Sequence, residues 1–99
     1  MPEFQWDDAN RTHVLEHYPD RANTIDEVES LFNDPAFAPL PDRVDSYGEQ
    51  RYKVVACSNR NRIMYVAFSV RNGQIRPISC RPASRKERER YAQITQKPE

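Results

Sequence analysis

Asn72-Gly73 stands between two β-prone runs, and this dipeptide constrains the fold more than any other feature of the chain. A type I′ turn needs φ > 0 at both central residues, which Asn and Gly accept most readily. A two-residue loop also fixes register, so Arg71 faces Gln74 and Ser69 faces Arg76. In the first arm Met64, Val66, Phe68 and Val70 alternate with Tyr65, Ala67, Ser69 and Arg71, which turns the even positions toward a core. In the second arm Ile75 and Ile78 are three apart with Pro77 between them, which breaks the period of two. Proline cannot donate to a ladder and favours an edge or a bulge. A bulge at Arg76–Pro77 would put Ile75, Ile78 and Cys80 inward and Arg76, Ser79 and Arg81 outward, beside Tyr65, Ser69 and Arg71. Guanidiniums this close repel, so a single-sign cluster is favoured only when a polyanion comes to it.

The remainder of the chain reads as cover and cap for that hairpin. A chain of 99 residues has room for one modest core, so we expect a single domain over residues 1–99. Its net charge is zero, yet residues 1–50 hold 3 Arg/Lys against 12 Asp/Glu, and residues 51–99 hold 12 against 3. Such asymmetry predicts a basic binding face opposed by an acidic one, or two halves that neutralise each other across the fold. No signal peptide and no apolar run of membrane-spanning length is evident, so no membrane partner is expected. Cys57 and Cys80 lie in strand-like positions without metal-type spacing, which suits reduced, packed thiols in a cytoplasm.

In chain order, Glu3–Trp6 is a short strand candidate and Asp7 an N-cap. Arg11, Val14, Leu15 and Tyr18 form one stripe of a first helix over Asp8–Tyr18, which Pro19 ends. His13 and His17 are one turn apart, but no third ligand stands at a recognisable spacing, so no metal is expected. Thr24 and Glu27 read as a capping box for a second helix carrying Ile25, Val28, Leu31 and Phe32. Residues 35–48, with three prolines, read as a loop or weak edge strand, and Arg51–Ser58 as a strand. Ser84 and Glu87 form another capping box, opening a polar C-terminal helix to about Gln96. Its first turn beside Arg81 and Arg85 would make a phosphate site. The fold class is therefore α+β. We expect an antiparallel sheet of about four strands with two N-terminal helices packed on one face and a C-terminal helix. Residues 1–50 form the acidic cover, 51–83 the basic sheet and 84–96 the last helix.

Two blocks carry a resemblance. The first is F-x-W-D, a helix ending in L-E-H, then E-V-x-x-L-F-x-D-P. The second is R-Y-x-V-V followed by R-I-M-Y-V-A-F-S-V-R-N-G-Q-I-R-P-I-S-C-R-P-A-S-R-K-E-R-E-R-Y. Over about residues 4–91 the chain resembles the BrnT-like toxins of type II toxin–antitoxin pairs. The resemblance implies a small RNA endonuclease of RelE-like α+β fold, held inactive by a BrnA-type antitoxin that itself binds operator DNA. It places Arg62, Arg71, Arg76, Arg81, Arg85 and Glu87 on the family's charged signature, and His17 on the histidine near the end of the first helix. The chain departs from the pattern in two places. His17 is followed by Tyr-Pro-Asp-Arg-Ala-Asn rather than Gly, and Pro82 stands where a basic residue is common.

Metal-free RNA cleavage uses the 2′-OH as nucleophile against the adjacent phosphate. It needs a base, an acid for the leaving 5′-oxygen, and cations for the phosphate oxygens. Arginine suits the last task because its planar fork binds phosphate bidentately, but it is a poor base. His17, Arg62, Arg81, Arg85 and Glu87 are thus the catalytic candidates, with Arg71, Arg76, Tyr65 and Ser84 as phosphate or RNA contacts. His13 and Glu49 are further candidate bases, and Tyr65 or Tyr91 candidate acids. No cofactor is expected. The alternative is a non-catalytic nucleic-acid-binding module or an inactive homologue acting through an antitoxin.

Overall fold

A computed structural model describes residues 3–95. It holds one antiparallel sheet in the order β1-β2-β3-β4, formed by β1 (Leu40–Val44), β2 (Gln50–Cys57), β3 (Ile63–Arg71) and β4 (Gln74–Pro82). Helix α1 (Asp8–Arg11) runs on as a π-helical turn over Thr12–Glu16, α2 (Ile25–Ser30) ends in a 3-10 turn over Leu31–Asn33, and α3 (Arg85–Thr95) closes the described chain. The fold is α+β, with two N-terminal helices and one C-terminal helix around an open sheet. The expected helix end at Gln96 lies outside the described residues.

The hairpin forms as its turn chemistry dictates. Asn72 and Gly73 have φ of 53° and 76°, and Arg71 pairs with Gln74 and Ser69 with Arg76. The bulge lies later than its sequence suggests. Phe68 pairs with Pro77 and Ala67 with Ser79, which leaves Ile78 as the extra residue. Pro77 and Cys80 are therefore buried on the core side, and Ile78 joins Arg76 on the opposite face. Proline still meets its constraint, because β4 is an edge strand and its outward carbonyls are served by side chains. Buried Asn10 donates to the Pro77 carbonyl at 3.0 Å, and buried Asn23 donates to that of Cys80 at 2.9 Å. Glu3–Trp6 forms less than a strand: Phe4 makes one parallel bridge to Ile75, fastened by backbone bonds of 2.8 Å on either side.

The core forms where one face of the sheet meets the N-terminal helices. Val14, Val28 and Leu31 pack on Val54, Ala56, Met64, Val66, Phe68 and Cys80. Phe32 stands edge-on to Phe68 with ring centroids 5.1 Å apart. Two assignments change sides. Val70 is 48 % exposed, and Arg11 is exposed while Asn10 takes the inward place on α1. Glu27 also departs from the capping box. Its N–H takes the Thr24 hydroxyl at 3.2 Å, but its carboxylate turns inward to Arg62 and Ser58.

Candidate functional site

The sheet face opposite the core carries Arg51, Arg71, Arg76 and Arg81, since these share the alternation of Tyr65 and Ser69. The guanidiniums are not left to repel one another. Arg71 Nε donates to Glu49 at 2.6 Å and its Nη2 at 3.1 Å; Arg76 holds Asp7 at 2.6 and 3.3 Å; Arg81 holds Glu87 at 2.8 and 3.0 Å. Arg51 approaches Asp45 at 3.6 Å. The single-sign cluster expected from the sequence is thus corrected: three planar forks each hold a carboxylate of the same chain, because internal anions meet them at contact distance. The Arg71, Arg76 and Arg81 hydrogen bonds keep Glu49, Asp7 and Glu87 respectively below the usual carboxylate range.

At the far end of this face, the α3 capping box is complete. The Ser84 hydroxyl accepts the Glu87 N–H at 3.2 Å, and Glu87 Oε1 accepts the Ser84 N–H at 2.8 Å. The same carboxylate binds Arg81, so Glu87 itself fills the anion position expected at this helix start. Arg81 also lies over the Tyr65 ring, 4.2 Å from its centroid, and burial pushes the Tyr65 phenol up. These residues border a cleft of about 390 Å³ between the outer face and α3, whose wall includes Tyr91 and Ile94. A second groove of about 400 Å³ opens at the hairpin end, between the β1–β2 turn and α1. Arg71, Arg76, Arg51, Glu49, Ser69 and His13 line it.

The structure therefore brings Tyr65, Arg71, Arg76, Arg81, Ser84 and Glu87 onto one face, and leaves three candidates elsewhere. Arg62 is bound bidentately by Glu27, with Nε to Oε2 at 2.7 Å, and also reaches the Arg21 carbonyl at 3.1 Å. Arg85 is largely solvated and pairs with Glu89 at 3.3 Å. His17 is exposed at the end of the π-helical turn that follows α1, edge-on to Tyr18 at 4.6 Å, while Arg21 covers Tyr18 at 3.7 Å. The carboxylates Asp7 and Asp45 were not among the sequence candidates. Asp7 reads as a cap, which it also is, and no local signal shows its second partner 69 residues away. Among the described residues no three His, Cys, Asp or Glu side chains are placed to hold a metal ion, and no helix is long and apolar enough to cross a membrane.

An antiparallel meander with helices on one face and carboxylate-held arginines on the other defines a small α+β protein with an open polar face. A family model described as "Ribonuclease toxin, BrnT, of type II toxin-antitoxin system" matches residues 6–87. The chain belongs to that family of ribonuclease toxins, whose type II systems pair a toxin with an antitoxin. Comparison with curated proteins gives no match.

Proposed function

We propose that this chain is a metal-independent endoribonuclease that binds single-stranded RNA along its outer sheet face. The observation that carries the reading is the set of bidentate arginine–carboxylate pairs at Arg71, Arg76 and Arg81. A carboxylate held in this way occupies the geometry a phosphate would take, so RNA phosphates exchange for Glu49, Asp7 and Glu87. Tyr65 offers an aromatic face beside Arg81, and Ser84 with the solvated Arg85 extends the track past the start of α3. Arg62 holds the sheet to α2 rather than touching RNA. Proton transfer falls to a histidine of the α1 region, His13 or His17, or to a carboxylate released from its arginine, Glu49 or Glu87.

The antitoxin is a BrnA-type protein that contacts operator DNA on behalf of the pair. It covers the outer face or adds a strand to β1, whose residues are all exposed at the sheet edge. The site of action is the cytoplasm. Cleavage of a long single-stranded RNA in the presence of EDTA tests the reading, with Arg71→Ala/Arg81→Ala beside the wild type. Cutting that survives EDTA and falls at least a hundredfold in the variant is expected. Salt-sensitive binding without any cutting would replace the enzyme with a binding module.

A further inference from the structure

Two polar groups stand behind the hairpin-end groove, each beside a carboxylate of the β1–β2 turn. Ser69 is fully buried behind the groove, and its hydroxyl helps Arg71 to keep the Glu49 carboxyl low. Arg51 is ion-paired with Asp45, its Nε 3.6 Å from the carboxylate oxygen. Arg71 and Arg76 border the same groove, so its cationic donors suit a phosphodiester.

Two side chains able to transfer a proton line this groove. Glu49 comes from the β1–β2 turn, and the exposed His13 from the π-helical turn after α1. They are chemically distinct. Glu49 is held as a carboxylate by Arg71, so it can accept a proton but has none to give. Histidine is the side-chain type that carries an exchangeable proton near neutral pH. His17 does not line this groove, which makes His13 the histidine of choice.

We infer that RNA is cut in this groove, with Glu49 taking the proton of the 2′-OH and His13 giving one to the leaving 5′-oxygen. This rests on the ribonuclease reading above. The 2′-oxygen forms a bond to phosphorus and the P–O5′ bond breaks, giving a 2′,3′-cyclic phosphate and a 5′-hydroxyl. Glu49 gains the proton that the nucleophile loses, and His13 loses the one that the leaving group gains. Arg71 and Arg76 bind the non-bridging oxygens as charge builds.

A leaving-group substitution tests the assignment. DNA oligonucleotides with one embedded ribonucleotide, each of the four in turn, are made with either oxygen or sulfur at the 5′-bridging position. A thiolate leaves without a proton, so it makes the acid dispensable. His13→Ala and His13→Gln should cut the oxygen substrates about a hundredfold to ten-thousandfold more slowly than wild type, and the sulfur substrates within about tenfold of it. Glu49→Gln should be slow on both, because its step precedes leaving-group departure. Folding of each variant is checked by its melting temperature. Wild-type rates in the His13 variants, or an equal deficit on oxygen and sulfur, overturn the assignment while leaving the ribonuclease reading intact. A wild-type chain that cuts none of these and no long RNA overturns both.

Discussion

Glu27 is 2 % exposed, yet it carries a charge through its partners. It accepts both forks of Arg62 and the hydroxyl of Ser58 at 2.7 Å, with Arg60 at 3.6 Å. The Arg62 hydrogen bonds are the main reason its carboxyl lies below the ordinary value of 4.5, against the opposing effect of burial. A carboxyl depressed in the folded state stabilises the fold above its unfolded pKa, and that stability is lost as pH falls through the folded value. Removing one partner of such a pair strands a buried charge. Arg62→Ala is therefore expected to destabilise the chain by about 3 kcal/mol, a fall in Tm of roughly 15 °C. Its Tm should also change less than the wild type's between neutral pH and pH values below 4.5. Thermal melts by circular dichroism at several pH values check both, and an unchanged Tm would show that the pair is not structural. By contrast, Cys80 is an inert core residue, its thiol pushed up to about 12 chiefly by burial.

At the scale of elements, α3 is the one most loosely held. It has no buried residue, and its two anchors are polar. At its start Glu87 binds Arg81, and further along the Tyr91 hydroxyl donates to Asp34 Oδ2 at 2.6 Å. Burial would raise Asp34, but hydrogen bonds from Tyr91 and from the Cys57 and Ala36 amides outweigh it and keep the carboxyl low. The Tyr91 phenol moves the other way, raised by burial and by donating to that carboxylate. Tyr91→Phe should remove about 2 kcal/mol of this anchorage, enough for α3 amides to exchange with solvent at least tenfold faster while the β2 and β3 amides hold their rates. Exchange followed by mass spectrometry distinguishes that local release from general destabilisation, which would speed all elements alike.

At the scale of the whole molecule, the acidic half and the basic half meet pair by pair. Asp7–Arg76, Glu27–Arg62, Asp45–Arg51 and Glu49–Arg71 each join a residue before 50 to one after it. Both expectations from the charge asymmetry are thus partly met: the halves neutralise each other, and the arginines still lie along one face. This internal competition has a sign that can be measured. Asp7→Asn keeps a good N-cap for α1 and removes the anion from Arg76. Under the proposed function it should tighten RNA binding, read by fluorescence anisotropy at fixed salt, and steepen the salt dependence. Weaker binding by Asp7→Asn would mean that Asp7 positions Arg76 for RNA rather than competing for it.

The chain's own residues determined the hairpin, because Asn72-Gly73 admits one turn geometry and that turn sets the register of Arg71 and Arg76 on the face. They carried the family resemblance as well, chiefly through R-Y-x-V-V at Arg51–Val55 and the run Arg62–Tyr91. The positions of α2 and α3 followed from their caps, which are local hydrogen-bonding devices. Local pattern could not place the bulge, since it turns on whether Pro77 or Ile78 fits the core beside Phe68. Nor could it pair Glu27 with Arg62 or Asp7 with Arg76, because ion pairs across 35 and 69 residues leave no mark on either neighbourhood. The sequence offered His13 and Glu49 only as two of several proton carriers. Tertiary structure brought them to one groove, by folding the α1 region and the β1–β2 turn beside the same arginines.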